Sequence, residues 1–245
     1  MPTLIILRHG QSEFNNLNKF CGWIDAKLTE KGKEQARFAS NLIKQSNLSP
    51  QFLFTSKLTR TIQTGNIILE ELGLLWLDVE KTWRLNERHY GALQGKDKSS
   101  IREKVGDEQY MYWRRAYDGC PPLIDKEDSG TSAIDERYKY VLDEVPRGES
   151  LHMVVDRLKP ILYGDIQKEL NKRGVVLVVA HGSACRSILK LIKGISDEDI
   201  KDVNFPNAIP LVMELDKDMN LVKDEYYLDP KIAKERADAV AKEGF

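Results

Sequence analysis

The 245-residue chain is short of the residue types that staple or metallate a fold. It has three cysteines, Cys21, Cys120 and Cys185, far apart and with no CxxC spacing. An odd, scattered set excludes a disulfide framework and a structural zinc site and reads as reduced thiols. Histidine is nearly as scarce, at four. No His/Asp/Glu cluster stands at ligand spacing, so no metal is implied. Neither sign of charge is in excess, with 37 basic against 38 acidic residues. That removes any global pull toward nucleic acid or a membrane surface, and an anion site has to come from local clustering. No apolar run approaches the roughly 20 residues of a membrane helix. The apolar start lacks the basic leader and cleavage site of a secretion signal, so the cytoplasm is the expected compartment. Internal repeats, low-complexity tracts and flexible linkers are also missing. At 41% hydrophobic and 31% charged, the composition fits one large α/β domain, or one with a sizeable insertion.

What is present is organised around the first ten residues. Leu4-Ile5-Ile6-Leu7 reads as a fully buried parallel strand that runs directly into Arg8-His9-Gly10. The pattern returns as Val175 to Ala180 followed by His181-Gly182. In open α/β sheets ligands bind at the carboxyl ends of strands, so the repetition predicts two imidazoles side by side there. Further strands are expected at Phe52–Ser56, at Leu74–Val79 and at Ile209–Leu215, the last an edge strand because of Pro210. Helices are expected from Thr29, as N-cap, to about Gln45, and from Leu58 to Leu72. Others are expected from Ser150 to about Leu170 with a kink at Pro160, from Ala184 to Ile192, and in the tail from Asp229. Residues 96–148 read as an irregular, lid-like excursion. Strands alternating with helices argue a three-layer α/β/α sandwich on a mostly parallel sheet.

Two imidazoles near many guanidiniums suit phosphoryl transfer. A neutral imidazole can attack phosphorus and carry the group, and neighbouring cations keep it neutral. Arginine forks match phosphate geometry bidentately. The candidates are Arg8, Arg60, Arg114, Arg115 and Arg186. Arg60 falls in the first turn of its helix, either as a surface residue or as a co-ligand with the helix amino terminus. Arg114-Arg115 beside Trp113 reads equally as ligand or as solvated lid. Glu87 is the acid/base candidate, with a salt bridge to Arg84 or Arg88 as the plain alternative. His89 reads as structural and His152 as a surface residue.

Taken together, Leu7-Arg8-His9-Gly10-Gln11-Ser12-Glu13-Phe14-Asn15, Cys21-Gly22-Trp23-Ile24-Asp25, Thr55-Ser56 with Arg60, and Arg84-Leu85-Asn86-Glu87-Arg88-His89-Tyr90-Gly91-Ala92-Leu93-Gln94-Gly95 resemble the cofactor-dependent phosphoglycerate mutases. Trp113-Arg114-Arg115, Pro121-Pro122, Glu149-Ser150-Leu151, Ala180-His181-Gly182 and Ile209-Pro210-Leu211-Val212 extend the resemblance over nearly the whole chain. It implies the histidine phosphatase fold, and interconversion of 3- and 2-phosphoglycerate through a phosphohistidine primed by 2,3-bisphosphoglycerate, without a metal. It makes His9 the phosphoryl carrier, His181 its stabilising partner and Glu87 the proton donor and acceptor. Arg8 and Arg60 would hold the transferring phosphate, supported by Ser12 and Asn15. Tyr90, Lys98, Arg114 and Arg115 would grip the rest of the substrate. Cys21 and Gly22 would line the pocket through backbone groups, and Gly182 and Ser183 would close it. The resemblance also implies a small phosphorylated substrate, a dimer or tetramer, and a mutase-type insertion at 96–148.

Three departures stand out. Ser183 replaces the usual asparagine after His181-Gly182. Asn207-Ala208 replaces Thr-Gly, which costs about 1 kcal/mol if that glycine needs positive φ. The tail ends in Glu243-Gly244-Phe245 rather than a lysine run. They leave two alternatives beside the mutase: a bisphosphoglycerate synthase/phosphatase, against which Gly22 speaks, and a catalytically weakened paralogue that mainly binds phosphorylated metabolites.

Overall fold

The computed structural model describes residues 1–125 and 135–242. In chain order the elements are β1 (Thr3–Arg8), α1 (Glu13–Asn16), α2 (Glu30–Gln45), β2 (Phe52–Thr55), α3 (Thr59–Glu71) and β3 (Val79–Lys81). They continue with α4 (Lys98–Val105), α5 (Asp107–Arg115), α6 (Leu151–Ile161), α7 (Gln167–Arg173), β4 (Val175–Ala180), α8 (Gly182–Lys193), β5 (Leu211–Glu214), β6 (Tyr226–Tyr227) and α9 (Pro230–Ala241). The sheet order is β3-β2-β4-β1-β5-β6. β1–β4, β4–β2 and β2–β3 pair in parallel, and β5 joins β1 and β6 antiparallel.

The apolar runs of β1 and β4 follow from their central place. Leu4 and Ile6 of β1 and Val176 and Val178 of β4 face a core shared with α6 and α8. Ile5, Leu7, Leu177 and Val179 face the opposite core, closed by α2 and α3. With both faces covered, the period-2 alternation of side chains leaves no polar position, which gives the three-layer sandwich expected from the sequence. The register pairs Arg8 with Ala180. The next residue of each strand, His9 and His181, therefore leaves the sheet at the same level, and the His9 amide donates to the Ala180 carbonyl at 3.0 Å. Past His9 the chain passes so close to α2 that a Cβ on Gly10 would lie 2.2 Å from the Gly32 carbonyl oxygen.

Four expectations need correction. Leu74–Asp78 is a turn and not a strand: Leu74 and Leu77 pack inward while Leu75 and Trp76 are exposed, and β3 begins only at Val79. An apolar pair three residues apart buries one side of a turn as readily as it fills a strand. β5 is not an edge strand. Pro210 precedes it, and β6 forms the outer edge, with the Leu228 amide donating to the Pro210 carbonyl. The 96–148 stretch is not irregular throughout, since it contains α4 and α5; residues 126–134 lie outside the described residues. The helix opened by the Ser150 N-cap runs past Leu170 to Arg173, but it widens into a π turn over Leu162–Ile166 just after Pro160. Proline has no amide to donate to the Asp156 carbonyl, so the regular ladder breaks there. Among the described residues no helix is long and apolar enough to cross a membrane.

Candidate active site

His9 and His181 sit with ring centroids 5.0 Å apart, edge to face. Both are fully enclosed, and burial together with the charge of Arg60 drives each well below the usual histidine range; Arg8 adds to the effect on His9. Both rings are therefore neutral near pH 7. His9 Nδ1 lies 2.6 Å from the Gly10 carbonyl, which accepts only if Nδ1 carries the proton. This leaves the lone pair on Nε2 for attack. In His181 the Arg60 Nε–H donates to Nδ1 at 3.2 Å, so the proton is on Nε2 and donates to Ser56 Oγ at 2.8 Å. Ser56 Oγ in turn contacts Thr61 Oγ1, whose hydroxyl donates to the Leu58 carbonyl. A chain of hydroxyls at the carboxyl end of β2 thus fixes the His181 tautomer.

Around this pair one cavity is lined by Arg8, His9, Ser12, Asn15, Cys21, Gly22, Arg60, Glu87, Tyr90, Lys98, Arg114, Arg115, Gly182 and Ser183. Of the catalytic and substrate-binding residues expected from the sequence, all line it except His181, which is wholly buried against His9 and Arg60. Ser12 is the N-cap of α1 and forms a reciprocal capping box with Asn15. The Arg60 fork donates to the Gly22 and Ile24 carbonyls as well as to His181. Gly22 takes a φ of 55°, and a Cβ there would fall 2.0 Å from Gln94 Oε1, so the pocket wall depends on its bare backbone. Cys21 faces the cavity, and burial pushes its thiol up. His152 is half exposed beside Asp118 and Asp156, away from the site.

Glu87 makes neither of the expected salt bridges. Arg84 pairs with Glu144, and Arg88 donates to the carbonyls of Trp113 and Arg114. Instead, Glu87 Oε1 accepts from the backbone amides of Arg88 at 2.8 Å and Ser183 at 3.1 Å. The carboxylate thereby sits at the amino terminus of α8, held by one amide of that helix and one of its own loop. Ser183 contributes here through its backbone, so the change from asparagine leaves this contact intact.

Other residues support the site, and two of them, Arg157 and Arg236, were not singled out from the sequence. Arg157 and Glu149 form a buried ion pair at 2.7 Å. Arg157 donates to the carbonyls of Arg84, Asn86 and Glu87, and Glu149 accepts from the His89 amide. Trp23 Nε1 also donates to the Glu87 carbonyl, at 2.6 Å. The signal was available: Arg157 interrupts the apolar face Val154, Val155, Leu158 of α6. His89 is wholly buried, accepts from the Gly91 amide through Nδ1, and is lowered to about 4 by burial and then by Arg157, as fits a structural residue. The Asn207 amide donates to the His9 carbonyl, and the Ala208 amide to the Arg8 carbonyl. From α9, Arg236 donates to the Asn207 carbonyl, and the Val240 carbonyl receives Arg114 and Arg115 at the cavity wall. Glu243-Gly244-Phe245 lies outside the described residues.

The chain matches the model of the histidine phosphatase superfamily (branch 1) over residues 4–145 and 131–224. It is 48% identical to phosphoglycerate mutase 1 of Saccharomyces cerevisiae over 245 residues, covering 100% of this chain and 99% of that protein. It is 47% identical to the 2,3-bisphosphoglycerate-dependent phosphoglycerate mutase of Bifidobacterium longum, covering 98% of each. Among solved structures, phosphoglycerate mutase from Bacillus anthracis superposes with a TM-score of 0.67 at 20% identity over 96% of both chains. A mycobacterial glucosyl-3-phosphoglycerate phosphatase superposes with a TM-score of 0.68 at 22% identity over 87% of this chain and 93% of that one. These two structural matches establish the shared fold alone. The length and level of the sequence matches establish more: this chain belongs to the histidine phosphatase superfamily and, within it, to the phosphoglycerate mutases.

Proposed function

We propose that the chain interconverts 3-phosphoglycerate and 2-phosphoglycerate, with His9 as phosphoryl carrier. The observation that carries this reading is the pair of neutral, buried imidazoles flanked by two guanidiniums at the carboxyl end of adjacent strands. His9 Nε2 attacks phosphorus as the bond to the substrate oxygen breaks. Arg8 and Arg60 balance charge on the peripheral oxygens. His181 is neutral with its proton committed to Ser56, so it becomes a donor toward the phosphoryl group by taking at Nδ1 the proton that a phosphate monoanion brings with it, while the Arg60 Nε–H passes from Nδ1 to a phosphate oxygen. The negative charge left on the phosphate favours that protonation. Glu87, fixed through Oε1, presents Oε2 to the substrate hydroxyl and exchanges the proton with it. Ser12 and Asn15 border the reacting phosphate, while Tyr90, Lys98, Arg114 and Arg115 face the remainder of the substrate. Cys21, Gly22, Gly182 and Ser183 complete the walls.

A 2,3-bisphosphoglycerate primer fits the donor set. The cavity offers His9, Arg8 and Arg60 as one group, with His181 packed against His9, and Lys98, Arg114, Arg115 and Arg186 as another; the Arg186 Nε is buried without a partner. Two phosphates and a carboxylate need two such groups of cations. When bound, the primer supplies the phosphoryl group that His9 carries. We further infer a single domain in which the described parts of the 96–148 insertion and of the tail from residue 229 cover the site, and a dimer or tetramer.

The test is conversion of 3- to 2-phosphoglycerate by purified protein, with and without trace 2,3-bisphosphoglycerate, beside His9→Ala. Primer-stimulated turnover that vanishes in the variant is expected. Primer consumption without isomerisation would replace the reading by a synthase/phosphatase. A folded protein that binds the primer and turns nothing over would replace it by a binding paralogue.

A further inference from the structure

Beyond the residues assigned above, the cavity is lined by Arg186, on α8 one turn after Gly182. The residue is 5% exposed. Its Nη2 donates to the Ile200 carbonyl at 2.6 Å and reaches the Arg115 carbonyl at 3.5 Å. Those bonds have a structural purpose, because they tie the turn at Asp199–Asp202 to the carboxyl end of α5. They do not account for Nε, which is buried without a partner. Arg88, at the same end of α5, repeats the arrangement: Nη2 serves the Trp113 and Arg114 carbonyls, and Nε and Nη1 are buried without partners.

Burial, and after it the positive charges of Arg115 and Arg88, lower the Arg186 guanidinium to about 9. Among the described residues no ion pair joins Arg186 or Arg88 to a carboxylate. Glu87 offsets only part of this for Arg186, and a desolvated cation is costly unless further negative charge comes to it, as a bound anion would bring. A capping role alone would be met by one donor pointing at carbonyls; a guanidinium with a spare N–H in the cavity wall suits an oxyanion.

We propose that Arg186 is a substrate-binding residue whose Nε–H, together with Arg115, receives the anionic group of the substrate that is not being transferred, a carboxylate or phosphate monoester. This rests on the reading of a two-anion substrate given above. The probes are therefore 3-phosphoglycerate and glycerol 3-phosphate, which share a skeleton and differ in the carboxylate. Their dissociation constants are measured by calorimetry on the full-length chain, wild type, Arg186→Gln and Arg186→Lys, with thermal unfolding of each.

In the wild type, 3-phosphoglycerate should bind more tightly by roughly tenfold or more. In Arg186→Gln that preference should fall to within about threefold. Arg186→Lys retains charge and a donor for the Ile200 carbonyl but lacks the Nε–H, and its preference should also fall. A wild-type preference that survives in both variants while the melting temperature drops would overturn the proposal and leave Arg186 as a cap for α5. A wild type with no preference would instead overturn the two-anion reading itself.

Discussion

Ala208 shows how a local departure is tolerated. Its φ is 49°, in the left-handed region where a Cβ crowds the backbone at a cost of about 1–2 kcal/mol. The conformation is imposed by its neighbours, since the Ala208 amide must reach the Arg8 carbonyl while Asn207 reaches that of His9. Yet the methyl is fully buried in the core beneath α2 and α3, which returns roughly 0.8 kcal/mol, and glycine would lose more backbone freedom on folding. The opposing effects are of similar size. Ala208→Gly should therefore change stability by less than about 1 kcal/mol, whereas Ala208→Val, β-branched at positive φ, should lose about 2 kcal/mol or more. Urea unfolding of both variants measures this. A large gain in the glycine variant would mean that the methyl contributes nothing. The residue scale also marks a limit of reading a sequence by side chains. Ser183 differs from asparagine only in its side chain, but the contact Glu87 uses is the Ser183 backbone N–H, which any residue but proline supplies.

The Arg84–His89 stretch is irregular backbone apart from a short 3₁₀ turn, and it is fixed by a helix it packs against. Arg157 of α6 reaches the carbonyls of Arg84, Asn86 and Glu87, and Glu149 neutralises Arg157 while holding the His89 amide. Arg157→Met leaves Glu149 buried and unpaired, and should cost about 3–5 kcal/mol of stability. Because Glu87 is then unanchored, kcat should fall by about tenfold or more with KM little changed, and the pH–rate profile should shift; Arg157→Lys should recover part of both. If kcat and the profile are unchanged while the melting temperature drops, the pair is structural only. Elements with a strong periodic signal were legible: β1, β4, α2, α3 and α6 follow from apolar spacing and caps. The elements that were not legible owe their form to partners distant in sequence. β6 has two residues and exists only against β5. Residues 98–115 do not announce α4 and α5 by apolar spacing, because Met111 and Tyr112 are exposed while the buried residues include Lys98, Arg114 and Arg115. A helix that buries its cations toward a cavity reads, in sequence, like a surface loop.

The whole molecule places five arginines and His9 around one cavity, with His181 packed against His9, while remaining near neutral overall. That concentration has a consequence for stability. His9, His181 and His89 are all buried, and all lowered by burial first and then by nearby arginines, His89 to about 4 and the other two well below their ordinary range. In the unfolded chain each returns to about 6.5. Above that pH neither state is protonated and these groups contribute no pH dependence. As pH falls below about 6.5 the unfolded chain binds protons that the native state refuses, so stability falls. Each histidine then contributes a slope approaching 1.36 kcal/mol per pH unit, and the three together about 4 kcal/mol per unit in the limit. The window opens near pH 6.5; it closes for His89 near 4 and extends lower for the site pair. Urea unfolding between pH 8 and 5 should show a plateau above 7 and a steepening loss below 6.5. His89→Gln should reduce that slope by about a third, because it removes one of three equivalent proton sinks from the unfolded state. A flat profile from pH 7 to 5 in the wild type would mean that the native state accepts these protons. The neutral, nucleophilic form of His9 would then have to be maintained in some way other than burial beside Arg8 and Arg60.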